Sequence, residues 1–291
     1  MARFNRARFL RLGVTYALLC AWSLVCLLPL YWVAVTSLKS ETDITGGPLY
    51  FPFIDFTPSL KAWEFILADP YDNLLMRFFN SAIAGVTATL LTLLIGGLAL
   101  YGLTRFRGND VLFGTRTVMA TMLATRILPP VAVVLPLYIM AQFTGTLDTH
   151  FALIFAYTGA NLPVAIWLLR PVLGLKATEQ EEAAQLDGAS HAAIFFSILV
   201  PMTASGIAAA GLLIFILCWN EYLFAAYLAA DRAMTLPPWL VGQMSIKEAQ
   251  IGSEAEEWAN FSAAAILIAL PVLAFSGWTQ RVVSGIGSSR K

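Results

Sequence analysis

Two ionisable side chains, Arg126 and Glu221, interrupt long apolar stretches of this 291-residue sequence. An ionised group in such a stretch is stable only where it faces protein or water, so it marks either a polar pathway or a structural pair. The neutral amides of Asn161 and Asn220 interrupt similar stretches. These four residues are our candidates for contact with a polar solute. The alternatives are pairing or helix capping within the chain, hydrogen bonds between helices, and contact with a partner subunit.

A second polar group occupies residues 178–190, which read TEQEEAAQLDGAS. Thr178 followed three residues later by Glu181 matches a capping box, so we expect a short helix to begin at Glu179. Gly188 can adopt the left-handed conformation that ends a helix. The stretch therefore predicts a helix and a tight turn.

The predicted helix has a surface that a partner protein could bind. Ala183, Ala184 and Leu186 leave it small and partly apolar. Beyond the turn, Ser190 can cap a second helix. The alternative is a solvated, capped loop without a partner, because charged stretches are usually solvated faces.

Composition indicates what positions these groups. The sequence is 58% hydrophobic and 12% charged, whereas soluble domains carry about 25% charged residues. About 20 apolar residues in a helix cross the roughly 30 Å of a bilayer's hydrocarbon. We predict an all-α membrane protein with six transmembrane helices, at residues 13–38, 78–103, 117–142, 151–169, 203–230 and 260–282.

The distribution of charge predicts the orientation of these spans. Basic residues dominate the N-terminal segment 1–12, follow the second and fourth spans, and return in the tail 283–291. Acidic residues outnumber basic ones in the loops 39–77 and 231–259. Because short basic loops stay in the cytoplasm, both termini and the loop 170–202 are predicted to be cytoplasmic. The other two loops are predicted to be external.

Several activities find no support in the sequence. It contains no G-x-x-x-x-G-K-[ST] phosphate loop, and its two histidines have no cysteine or carboxylate cluster at ligand spacing. We predict no metal site, no catalytic residue and no cofactor bound by this chain. The formal net charge of zero argues against a nucleic-acid partner.

Residues 182–201 resemble a family signature. They read E-A-A, three residues, G, nine residues, I, one residue, V-P. This pattern is similar to the EAA loop of the integral membrane subunits of binding-protein-dependent ABC importers. Val200 stands where the family usually has Leu, and Ser205 where a second Pro often follows; both departures concern only the shape of the elbow after the turn.

The resemblance extends over most of the chain. The segments RILPPVAVVLPLYIMAQ (126–142), NLPVAIWLLR (161–170) and CWNEYLFA (218–225) are similar to the carbohydrate-uptake branch, the maltose-type inner permease family. This implies a type I importer fold with a permease core at 78–282 that imports a sugar or oligosaccharide by alternating access. It also implies a second permease subunit, a cytoplasmic ABC ATPase dimer that holds ATP and magnesium, and an external solute-binding protein. The expected surroundings are membrane lipid, in the plasma (inner) membrane of a prokaryote.

The resemblance also assigns a role to the polar stretch, which would dock in a cleft of the ATPase and couple its closure to the membrane helices. The implied coupling residues are Thr178, Glu181, Glu182, Ala183, Ala184, Asp187 and Gly188. Two alternatives remain open at this point: the same machinery importing a polyamine, amino acid or sugar phosphate, and an ion-coupled secondary transporter. The small residues 205–211 predict close approach of another helix, in this subunit or a partner.

Overall fold

The computed structural model describes residues 6–68, 74–105, 115–173, 178–245 and 254–288. These residues are helical, apart from turns and an isolated bridge between Pro52 and Phe56. They divide into two compact units, one formed by residues 1–72 and 240–269 and the other by residues 73–239 and 270–291.

The first unit contains the long N-terminal helix and two short helices that follow it. Its first helix exposes large apolar side chains such as Leu24 and Leu28 along its length, which is the surface expected of a helix that faces lipid or another subunit. The bounds are α1 (Arg6–Thr36), α2 (Glu41–Thr45) and α3 (Lys61–Ala68).

The second unit contains most of the permease core predicted at 78–282, whose residues 240–269 belong to the first unit. Its helices are α4 (Leu74–Arg105), α5 (Thr115–Ala124), a 3₁₀ turn (Thr125–Ile127), α6 (Pro130–Phe143), α7 (His150–Leu173), α8 (Thr178–Leu186), α9 (His191–Ala193), a π-helical stretch (Ile194–Leu199), α10 (Val200–Met202), α11 (Ala204–Trp219) and α12 (Leu223–Leu228). Two further helices, α13 (Leu236–Ser245) and α14 (Glu254–Ser288), contribute residues to both units.

The core of the second unit lies where α4 packs against α7 and α11. Small residues allow this approach: Ala84, Ala88 and Ala165 are fully buried. A Cβ placed on Gly206 would lie 2.6 Å from a methyl group of Val172. The small residues at 205–211 therefore pack against helices of this same subunit.

Among the residues that the structure describes, four helices are long and apolar enough to cross a membrane. Two bent helix pairs bring the number to six if each pair counts as one span. The all-α, six-span architecture predicted from composition agrees with this. The four unbroken helices include the spans predicted at 13–38, 78–103, 151–169 and 260–282, apart from a few residues at their ends.

The third span is not the continuous helix predicted at 117–142. The segments on either side of residues 128–129 are inclined by 88°. The physical reason is the pair Pro129-Pro130: a proline forces the residue before it into an extended conformation, and Leu128 and Pro129 accordingly have ψ angles of 134° and 131°.

The fifth span also differs from the prediction at 203–230. Its helix α11 ends at Trp219, and a non-helical turn separates it from α12. At its other end, α11 is inclined by 83° to the segment His191–Met202. Glu221 and Asn220 therefore lie in a turn instead of inside a helix.

Candidate functional site

The polar stretch at 178–190 forms a helix and a turn, as predicted, but with a different start. Helix α8 includes Thr178 as its first residue, and the side chain of Thr178 lies outside the described residues. Helix α8 ends at Leu186, and Gly188 has a φ of +80°. Ser190 accepts a hydrogen bond from the backbone N–H of Ala193 at 3.3 Å. The predicted turn and second cap are confirmed.

One face of α8 is exposed. Glu182, Ala183 and Asp187 are exposed, Ala184 is half-buried, and Leu186 retains 89% of its accessible surface. Apolar groups that a short exposed helix presents together suit a groove of a partner protein.

The capping contact predicted between Glu181 and the side chain of Thr178 lies outside the described residues, and the partner that the structure shows for Glu181 is a different one. The Glu181 carboxylate is buried and binds the guanidinium of Arg105, at the end of α4, through two hydrogen bonds of 2.7 Å. This two-point geometry is the strongest arrangement available to an arginine and a carboxylate. Sequence reasoning missed Arg105 because the two residues are 76 positions apart.

A second contact joins the same two parts of the chain. The hydroxyl group of Tyr101, one turn before Arg105, lies 3.2 Å from Nδ1 of His191 in α9. The guanidinium of Arg105 also lies over the ring of Tyr101, at 5.9 Å. The helices on both sides of the Gly188 turn are thus attached to the end of α4.

The break in the third span carries Arg126. Its Nη2 donates a hydrogen bond of 2.6 Å to Oδ1 of Asn161 in α7. The Asn161 amide in turn donates to the carbonyl oxygen of Tyr157 at 2.9 Å and to the sulfur of Cys218 at 3.3 Å. The structure therefore brings two of the four intramembrane candidates together, around a buried amide whose orientation is fixed by three partners.

Arg126 also lines a cavity of about 280 Å³ between the bent third span and α7. The wall includes the exposed aromatic ring of Phe155 and the backbone of Gly159. Arg126 itself is exposed. A guanidinium beside an aromatic face offers hydrogen-bond donors and a stacking surface to a polar ligand.

The other two candidates do not join this cluster directly. The carboxylate of Glu221 accepts a hydrogen bond of 3.1 Å from the backbone N–H of Phe224, so it caps α12. No ion pair within 4 Å joins Glu221 to Arg126 in the described part of the chain. Asn220 is exposed, and its amide donates to the carbonyl oxygen of Ile216 at 2.9 Å.

An external hydrogen-bond cluster was not anticipated. Asp148 lies in the loop before α7 with a φ of +57°. Its carboxylate accepts four backbone N–H groups from residues 230–233, at 2.9 to 3.1 Å. Burial alone would raise the pKa of Asp148, but these four hydrogen bonds together lower it below its usual value. The only local signal was a short polar run, G-T-L-D-T, before an apolar span.

Polar side chains of α4 and α7 extend this external cluster. Arg77 forms an ion pair with Asp231 at 3.0 Å and also donates to its carbonyl oxygen. Asn80 donates to the carbonyl oxygens of residues 232 and 234, and its Oδ1 lies 2.8 Å from Nε2 of His150. These contacts join the external ends of three spans.

Comparison with known proteins gives consistent matches. Residues 112–286 match the family model described as binding-protein-dependent transport system inner membrane component. The diacetylchitobiose uptake system permease protein NgcG of Streptomyces coelicolor is 29% identical over 94% of this chain and 86% of its own length. The trehalose/maltose transport system permease protein MalG of Thermococcus litoralis is 28% identical over 91% of each chain.

A solved structure matches as well. It is a bacterial ABC transporter involved in the import of the acidic polysaccharide alginate, with a TM-score of 0.76 and 20% identity over 97% of this chain and 99% of the matched chain. At this identity the match concerns the fold.

Proposed function

Since this chain belongs to the family of binding-protein-dependent transport system inner membrane components, we propose that it carries a sugar or oligosaccharide across the membrane and that the 178–190 elbow couples it to the ATPase. The chain is a multi-pass permease subunit of an ABC importer in the prokaryotic inner membrane. It is a transport component and not an enzyme, because ATP hydrolysis in such importers belongs to a separate ATPase.

The observation that carries the coupling proposal is the attachment of the elbow to the second span. The ion pair between Glu181 and Arg105 holds the helix of the elbow, and the contact between Tyr101 and His191 holds the start of the helix that follows it. A force applied to the exposed face of α8 is therefore transmitted to α4. Movement of α4 would carry its packing partners α7 and α11, so ATPase closure reorients the pathway by alternating access.

The cargo proposal is supported by the cavity at the break of the third span. Arg126 supplies hydrogen-bond donors for hydroxyl groups, Phe155 supplies an apolar face for a sugar ring, and the buried Asn161 holds the guanidinium of Arg126 in place. The names of the relatives NgcG and MalG, which refer to diacetylchitobiose and to trehalose and maltose, favour a carbohydrate. We further propose that the second permease subunit is a different chain and that an external binding protein delivers the cargo.

The test of coupling uses Glu182, an exposed acid of α8. Glu182→Lys reverses the charge on the docking face, so we expect loss of sugar uptake and weaker retention of the ATPase on the purified complex. Glu64→Lys makes the same charge change at an exposed position of α3, outside α8, and is the matched control. Normal uptake in Glu182→Lys would contradict the coupling role.

The same preparation separates the alternatives. Uptake that persists in proteoliposomes lacking the ATPase would indicate an ion-coupled transporter. Uptake that requires the ATPase but responds only to a polyamine, an amino acid or a sugar phosphate would keep the machinery and replace the cargo.

A further inference from the structure

Lys39, just after the end of α1, is a buried cation without an anionic partner. It retains only 5% of its accessible surface. Its ammonium group faces the rings of Trp32, at 4.8 Å, and Phe56, at 5.7 Å, and it forms no ion pair within 4 Å in the described part of the chain. Burying an ammonium group is costly unless it gains hydrogen-bond acceptors, and ring faces offer only a cation–π attraction.

The two nearest carboxylates are engaged elsewhere. Asp43 accepts hydrogen bonds from the backbone N–H of Ser40, at 3.1 Å, and from its hydroxyl group. Asp55 accepts two backbone N–H groups, at 2.8 and 2.9 Å. Desolvation lowers the pKa of Lys39, and the more distant charges of these two acids offset this only in part. The site therefore has room for a further anion.

Lys39 lines a polar cavity of about 340 Å³, which we call the outer pocket. A second cation, the exposed Lys61, lines the same cavity, together with the hydroxyl group of Thr42 and the amide of Asn260. Glu41 adds one acidic side chain at the exposed edge. Two ammonium groups with neutral donors are a set that binds a phosphate oxygen.

The outer pocket lies at the external boundary of the membrane. Lys39 follows the last residue of α1 by three positions, and Asn260 is the first residue of the predicted sixth span. Trp32, which forms the aromatic wall behind Lys39, is 42% exposed on α1. Tryptophan and lysine at the ends of spans sit at headgroup depth.

From this placement we propose that the outer pocket binds the phosphodiester of an outer-leaflet phospholipid, with Lys39 and Lys61 holding the phosphate oxygens. At headgroup depth the phospholipid phosphodiester is the anion present in the greatest amount. The carboxylate of Glu41 at the pocket edge can accept a hydrogen bond from the amine or hydroxyl of the headgroup. One lipid molecule can therefore bind both the lysines and the acidic side chain of the pocket. The site is independent of the cargo cavity and of the elbow.

The experiment measures lipid bound to the assembled importer, purified in detergent, by native mass spectrometry during titration with phosphatidylglycerol. Diacylglycerol with the same acyl chains lacks the phosphodiester and should not occupy the site. Lys39→Met removes the charge while keeping an apolar chain between the rings, and we expect affinity for the lipid to fall on the order of tenfold, as for loss of one charge-assisted hydrogen bond.

Two variants guard against a folding defect. Lys39→Arg keeps the charge and should retain the lipid, and Lys61→Met changes an exposed side chain and should also weaken binding. Arg232→Met removes an exposed external cation that does not line the pocket and should have no effect.

Three results would overturn the proposal. The first is wild-type lipid binding in both Lys39→Met and Lys61→Met. The second is displacement of the lipid by millimolar inorganic phosphate, which would identify free phosphate as the ligand. The third is unchanged lipid binding in these variants with weakened capture of the external binding protein, which would identify a carboxylate of that protein as the ligand.

Discussion

Arg105 and Glu181 form a two-point ion pair that joins the cytoplasmic end of α4 to helix α8, with both nitrogen–oxygen distances at 2.7 Å. The Glu181 side chain retains 3% of its accessible surface and that of Arg105 18%. An ion pair this buried costs desolvation, so replacing both partners by apolar residues can be nearly neutral, whereas removing one leaves an uncompensated charge. The pair is therefore better suited to holding a geometry than to adding stability.

Breaking this pair should uncouple the ATPase from transport. Glu181→Gln leaves the guanidinium of Arg105 without its counter-charge, and we expect a destabilisation of about 3 kcal/mol with a lower ratio of sugar taken up to ATP hydrolysed in proteoliposomes. The exchanged pair, Arg105→Glu with Glu181→Arg, should recover part of that ratio. A purely structural pair would change the thermal unfolding temperature and leave the ratio unchanged.

The turn at Gly188 should tolerate residues according to their backbone preference and not their size. Its φ is +80°, and a Cβ built there would meet no atom within 4 Å. A left-handed conformation costs roughly 1–2 kcal/mol for most residues but less for asparagine. We expect Gly188→Val to reduce uptake strongly and Gly188→Asn to retain most of it. Equal loss in both variants would indicate that the ATPase requires the small surface of glycine itself.

Arg126 should affect the passage of the solute through the subunit and not the stimulation of ATP hydrolysis by the binding protein. Arg126→Ala removes the donor to Asn161 and a polar group of the cavity, and we expect a decrease in uptake of roughly tenfold, as for one hydrogen bond to a charged group. Binding-protein-stimulated ATP hydrolysis should be retained. Arg170→Ala, an exposed arginine at the other end of α7, is the control. Normal uptake in Arg126→Ala would exclude the cavity from the pathway.

The sequence predicted the features that depend on local composition. Six spans follow from apolar length, and the left-handed turn follows from a glycine after a run of helix formers. The break of the third span is also present in the sequence, as Pro129-Pro130. The segment was nevertheless predicted to be one continuous span, because the summed hydropathy of a segment does not depend on whether its helix is bent.

Long-range pairing could not be predicted. Glu181 was assigned to a cap because Thr178 lies at the right local spacing, whereas its carboxylate binds Arg105, in another span. The same applies to Asp148, whose partners at 230–233 lie more than eighty positions away. In each case the partner is brought close only by the packing of α4, α7 and α11, which no local pattern contains.

Asp148 offers a test of that packing through pH. Its folded-state pKa is lowered by four backbone N–H groups, so the stabilisation it provides is present above its unfolded pKa of about 3.9 and is lost as the pH falls through the lowered folded value. Asparagine tolerates a positive φ, so Asp148→Asn changes the charge and keeps the backbone. At pH 7 we expect a destabilisation of about 1–3 kcal/mol and faster amide exchange at residues 230–233, with a smaller difference from the wild type near pH 3.

The control is Glu64→Gln, which neutralises an exposed carboxylate on α3 and should show neither effect. Unchanged amide exchange in Asp148→Asn would mean that the carboxylate does not hold the external ends of these spans together.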